Sequence, residues 1–224
     1  IAMQNDVRIF FTKTGTAKYI SHLDLMRCMS RAFRRAQIPL WFTEGYNPHL
    51  FMTFARPLSL GQESLCECVD VRLTGEMTFK EIKSRMNDAL VPGITIVSVA
   101  KPVHKPTEIA FADYEIKLFT DEPETVHAAL ETGLSKAQIL VTKKAKQGRR
   151  KIDKEIDIKP NVISAEVSKT ENGVLLLVRL TAGDQNNINP TLLLSAVLGE
   201  ASEKIDHTEI LKKRVLLENG ENFS

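Results

Sequence analysis

Apolar and polar positions along the chain switch between a period of two and a period of about 3.6, and the switches mark out the elements. Residues 7–12 are rich in strand formers, and the turn-forming 13–16 follows. Ser21 then stands as a helix N-cap with Asp24 three positions on. The following helix is expected to run to about Gln37 and stop before Pro39. At about 100° per residue, His22, Leu25, Met29, Ala32, Phe33 and Ala36 share its apolar face. Arg27, Arg31 and Arg34 fall opposite, with Arg35 nearby.

Residues 40–43 and 50–54 read as strand pieces interrupted by a turn through 45–48. Residues 64–74 alternate as a strand with Val69, Val71 and Leu73 on one face. A helix over 78–90, closed by Pro92-Gly93, and a strand over 94–100 complete the order β-α-β-β-α-β. Two prolines, Pro102 and Pro106, make 101–106 a linker. The pattern then returns: strand 114–119, helix 124–134, strands 138–143 and 152–158. A hairpin of 163–168 with 174–180 about Glu171-Asn172-Gly173, a helix 190–198 capped by Asn189 and a strand 208–217 follow. The expectation is an α+β protein of two tandem ferredoxin-like (βαββαβ) halves, 3–100 and 107–218, the second elaborated with an extra hairpin.

Composition adds little until charge is placed along the chain. The 224 residues are 43% hydrophobic and 26% charged with a net charge of +2, so there is material for a core and no global polycation. No apolar run of membrane-spanning length and no signal-peptide pattern is present, so the expected location is cytoplasmic, away from the membrane. Residues 8–35 nevertheless carry seven basic groups against the single acid Asp24. A second cluster over 143–159 holds eight bases against three acids, among them Lys144, Arg149, Arg150 and Lys151. The bland reading is solvated faces. The functional one is phosphate tracking on RNA, for which the guanidinium fork is suited. An acidic surface on a protein partner would serve almost as well.

The stretch 44–64 sets Tyr46, Asn47, His49 and Arg56 close in sequence to the capped helix. With Ser21 and His22 they form a candidate recognition edge. Tyr46, Phe51 and Phe54, with Trp41 and Phe42, are candidate stacking platforms, Tyr46 first. Neutral His22 and His49 are an alternative general base and acid on a 2′-hydroxyl; otherwise they cap the core face and brace the turn. Cys66 and Cys68 share a strand face, but no further ligands at metal spacing accompany them, and Cys28 stands apart. No metal site and no cofactor are expected, for phosphate-binding glycine loops are also missing.

Residues 21–27 (Ser21-His22-Leu23-Asp24-Leu25-Met26-Arg27), 31–36, 45–49 and 54–58 resemble the radical-SAM-linked family. The similarity continues through 154–160 and 189–194, with departures at Leu50 and Phe51. That family is a bacterial domain of unknown function, fused to or encoded beside B12-binding-type radical-SAM proteins. This chain has no CxxxCxxC motif, so the iron-sulfur chemistry that the resemblance implies would lie in a partner. The combined expectation is a non-catalytic RNA-binding adaptor that presents tRNA or rRNA to a radical-SAM enzyme. The alternatives are a metal-independent ribonuclease or small-molecule transferase using His22 and His49, and a protein-binding subunit docking on the radical-SAM partner.

Overall fold

A computed structural model describes residues 5–147, 150–184 and 186–224. It is a mixed α+β structure with four α-helices among those residues. The chain divides into two compact units, 1–108 with 222–224, and 109–221.

In the first unit the strands are β1 (Asn5–Lys13), β2 (Met52–Phe54), β3 (Glu63–Leu73) and β4 (Ile94–Ala100), and the helices α1 (His22–Arg35) and α2 (Phe79–Ala89). β1 pairs antiparallel with β3 on one side and β4 on the other, and β2 pairs antiparallel with β3, giving the order β4-β1-β3-β2. Period-two alternation puts Val7, Ile9 and Phe11 of β1 and Val69, Val71 and Leu73 of β3 under the helices. Leu25, Met29, Ala32 and Phe33 of α1 and Ile82 and Met86 of α2 close the core over them.

The expected strand pieces 40–43 and 50–54 shrink to the three-residue β2 and two isolated bridges, Leu40 to Leu73 and Phe42 to Leu50. Pro39 and the loop through 44–48 leave too few consecutive residues for a longer ladder. Helix α1 also ends earlier than its periodicity suggests. Gln37 takes φ of +54° and donates to Arg34 O, while Ile38 N–H reaches Phe33 O, a Schellman closure ahead of Pro39. A 3-10 turn over Gly15–Tyr19, absent from the periodic pattern, leads into the Ser21 cap. Gly93, at φ +87°, must be glycine: a Cβ there would lie 2.5 Å from the Thr14 carbonyl oxygen.

The second unit holds β5 (Ile109–Phe119), α3 (Pro123–Ser135), β6 (Leu140–Gln147), β7 (Arg150–Asp157), β8 (Val162–Thr170), β9 (Gly173–Thr181), α4 (Pro190–Leu198) and β10 (His207–Leu217). Its sheet runs β10-β5-β9-β8, every neighbour antiparallel. β6 and β7 form a separate two-stranded ribbon. Helices α3 and α4 pack closely where Gly133 meets Val197; a Cβ on Gly133 would sit 2.4 Å from the Val197 carbonyl oxygen.

Candidate nucleic-acid interface

Helix α1 begins at Ser21, whose Oγ accepts from the Asp24 backbone N–H at 3.2 Å and donates to the Asp24 carboxylate at 2.7 Å. Arg27 donates to the same carboxylate at 3.0 Å. The Ser21 hydroxyl first, then Arg27, hold the Asp24 carboxyl below its ordinary value, so it is ionised near neutrality. With the helix start fixed, the spacing of four places Arg27, Arg31 and Arg35 along one exposed flank.

Those three arginines, with Asp24, Cys28 and Val91, line a groove of about 340 Å³ between α1 and the segment that follows α2. Each arginine is engaged differently. Arg27 is tied to Asp24, and Arg35 donates to Ala89 O at 2.6 Å. Helix α2 has no basic residue in its last turn, so Arg35 supplies the cation its C-terminal carbonyls lack. Arg34 lies over the Phe42 ring, Cζ 5.9 Å from the centroid. Arg31 is exposed and has neither hydrogen-bond nor ion-pair partner among the described residues. Among the described residues, it is the arginine of this groove that forms no ion pair or hydrogen bond.

The other basic residues of 8–35 are not part of that surface. Arg8 is 1% exposed and clamps Asp70 through two nitrogens at 2.7 and 2.9 Å. Lys13 is equally buried, its Nζ 2.8 Å from Ile20 O. Lys18 lies 3.7 Å from Glu63. Counting bases along the chain therefore overstates the ridge: Arg8, on the face of β1 opposite Val7 and Ile9, is covered by Asp70 and the Phe223 ring, and Lys13 is buried against the Ile20 carbonyl. For the second cluster, Arg149 lies outside the described residues. Lys144, Arg150 and Lys151 sit in the β6–β7 ladder, with only their backbone described.

The residues of the expected recognition edge take separate places. His22 packs its ring on Phe54, centroids 5.2 Å apart, in the first turn of α1. His49 closes a loop: its N–H and carbonyl bond Thr43, and its Nδ1 lies 3.0 Å from Thr43 Oγ1 and 3.2 Å from Asn47 O. Thr43 adjoins Phe42, which meets Arg34 in the last turn of α1. His22 and Arg34 are separated by about 18 Å along the helix axis at 1.5 Å per residue. The two imidazoles thus have different neighbours, Phe54 for His22 and Thr43 with Asn47 for His49. Arg56 is half-buried and donates to Pro106 O at 3.3 Å. Among the described residues, no three His, Cys, Asp or Glu side chains group as a metal site.

Aromatic exposure separates the stacking candidates. Phe54 is wedged between His22 and Phe11. Trp41 and Phe51 meet edge to face at 5.6 Å and both carry the Arg72 guanidinium, which also pairs with Asp6. Tyr46 is fully exposed and Phe42 is 41% exposed. Sequence reading passed over Tyr19, 64% exposed with Lys18 Nζ 5.5 Å from its ring centroid. Its position just before a helix cap, outside any apolar periodicity, was the available signal.

Residues 7–190 match the family described as "Uncharacterized protein conserved in bacteria (DUF2344)". The chain belongs to that family. The description assigns its members neither reaction nor partner. No curated protein matches the chain. Among solved structures, an unknown protein from Galdieria sulphuraria is similar at 15% identity and a TM-score of 0.28, over 94% of this chain and 99% of that one. No helix among the described residues is long and apolar enough to cross a membrane.

Proposed function

We propose that this DUF2344 protein is a non-catalytic RNA-binding adaptor that grips the phosphate backbone along α1. One observation carries the reading: Arg31, without a hydrogen-bond or ion-pair partner among the described residues, stands in a groove with two further arginines. An unneutralised guanidinium flanked by like charges is at its most stable when an anion joins it, and a phosphate accepts two of its N–H bonds at once. The radical-SAM partner, the choice of tRNA or rRNA and the cytoplasmic setting rest on sequence alone. The strand orders β4-β1-β3-β2 and β10-β5-β9-β8 support reading both units as ferredoxin-like, with β6–β7 as the added hairpin. Catalysis by His22 and His49 has less support, since a general acid and base must reach one substrate atom together.

The test is binding of fluorescently labelled tRNA at two salt concentrations. Phosphate gripping predicts affinity that falls steeply with salt, and Arg31→Glu with Arg34→Glu abolishes binding while leaving the thermal transition in place. Salt-independent binding, or none, defeats the reading. Capture of a radical-SAM protein that depends on the same arginines, with no RNA bound, favours the protein-docking alternative.

A further inference from the structure

The basic flank of α1 has an aromatic or apolar group at each end. Leu23, in the first turn, is 55% exposed, and eleven residues on, three helical turns, Arg34 occupies the same flank about 16 Å away along the axis. Tyr19, 64% exposed, stands two residues before the Ser21 cap, in a segment whose Lys18 O accepts from Gly61 N–H at 2.9 Å. Lys18 covers part of the Tyr19 ring and leaves the rest open. At the far end the Phe42 ring lies against Arg34, with exposed Tyr46 in the adjoining loop. Arg27 and Arg31 stand between these ends.

We infer that this flank binds single-stranded RNA, its phosphates on Arg27, Arg31 and Arg34 and unstacked bases on Tyr19 and Phe42. The inference rests on the RNA reading above and narrows it to one class of substrate. Arginines alone would accept duplex or single strand. Exposed rings at the two ends of the row, Phe42 at Arg34 and Tyr19 just before the Ser21 cap, favour a polyanion whose aromatic faces are free, because a duplex keeps its bases stacked inside. Charge selects among other amphipathic occupants as well. An extended strand matches a row of cations three turns long, whereas a lipid surface needs a broad basic face, and this flank includes Asp24.

The test compares short RNA, single-stranded and annealed to its complement, with wild type, Tyr19→Ala, Tyr19→Phe and Phe42→Ala. Tyr19 is exposed, so its replacement leaves the fold standing, and Tyr19→Phe retains the ring. Tighter binding of the single strand is expected, with a roughly tenfold loss in Tyr19→Ala, near-normal affinity in Tyr19→Phe and an unchanged salt slope. Equal affinity for duplex and single strand, or salt-dependent binding indifferent to Tyr19 and Phe42, overturns the single-strand assignment and leaves RNA binding intact. Absence of salt-dependent binding to either form is the failure of the underlying reading. Binding to phosphatidylserine vesicles that requires Tyr19, with no RNA bound, overturns both and assigns the patch to a membrane surface.

Discussion

Arg31 and Asp113 are charged residues in opposite situations, and each makes a prediction. Arg31 is exposed and has no hydrogen-bond or ion-pair partner among the described residues, so Arg31→Ala should leave stability within about 0.5 kcal/mol, as exposed substitutions do. RNA affinity should fall about tenfold, the loss of one charge-assisted contact. Thermal melts beside binding titrations separate the two effects. Asp113, on the β5 strand, is gripped by Arg179 at 2.7 Å and Arg214 at 2.6 Å. Burial pushes its carboxyl up, but the Arg179 and Arg214 contacts outweigh burial and hold it below its ordinary 3.8. A depressed carboxyl contributes stability above its unfolded value and loses it as pH falls through the folded one. Denaturation curves of wild type and Asp113→Asn should therefore differ near neutrality, and the gap should start to close near pH 4 and shrink further as pH falls through the folded value below it. A constant gap down to the lowest pH would mean the pair is not the source.

Elements are held by caps and close approaches more than by propensity. Helix α2 starts with a complete capping box: Thr78 Oγ1 accepts from the Glu81 N–H, and the Glu81 carboxylate accepts from the Thr78 N–H, each at 3.2 Å. Thr78→Ala should cost about 1 kcal/mol in chemical denaturation. Gly133 gives a sharper test, since alanine inside a helix is normally favoured by about 1 kcal/mol. Here its Cβ would strike Val197 of α4, so Gly133→Ala should destabilise instead. The capping signals at Ser21 and Asn189 were visible in the sequence because a cap is a local contact. The Glu81 box was equally local. The end of α1 at Arg35 was not legible, because the left-handed Gln37 that closes it is a residue type with no strong preference for that conformation.

For the whole molecule, the net charge of +2 is too small for long-range attraction of RNA, so affinity must come from local placement. On a single strand each phosphate contact adds about 0.7 to the salt slope, so Arg31→Glu with Arg34→Glu should flatten the slope by more than one unit if any binding is left. Neutralising Lys144, Arg149, Arg150 and Lys151 tests the second basic cluster by the same slope; an unchanged slope would show that the β6–β7 arm takes no part. Hydrophobic periodicity by itself determined most elements and their order, the buried face of α1 and the concentration of arginines opposite it. These depend on neighbours within a few residues, where period and cap chemistry operate. Only the tertiary structure decided which charges are spent: Arg8 on Asp70, Lys13 on backbone carbonyls, Arg35 on the end of α2, with Arg31 left over. It also gave His22 and His49 different neighbours, Phe54 for one and Thr43 for the other, and joined Gly61 to Lys18. Pairing across sequence separations of forty residues or more is fixed by strand register and helix packing, and no local pattern records it.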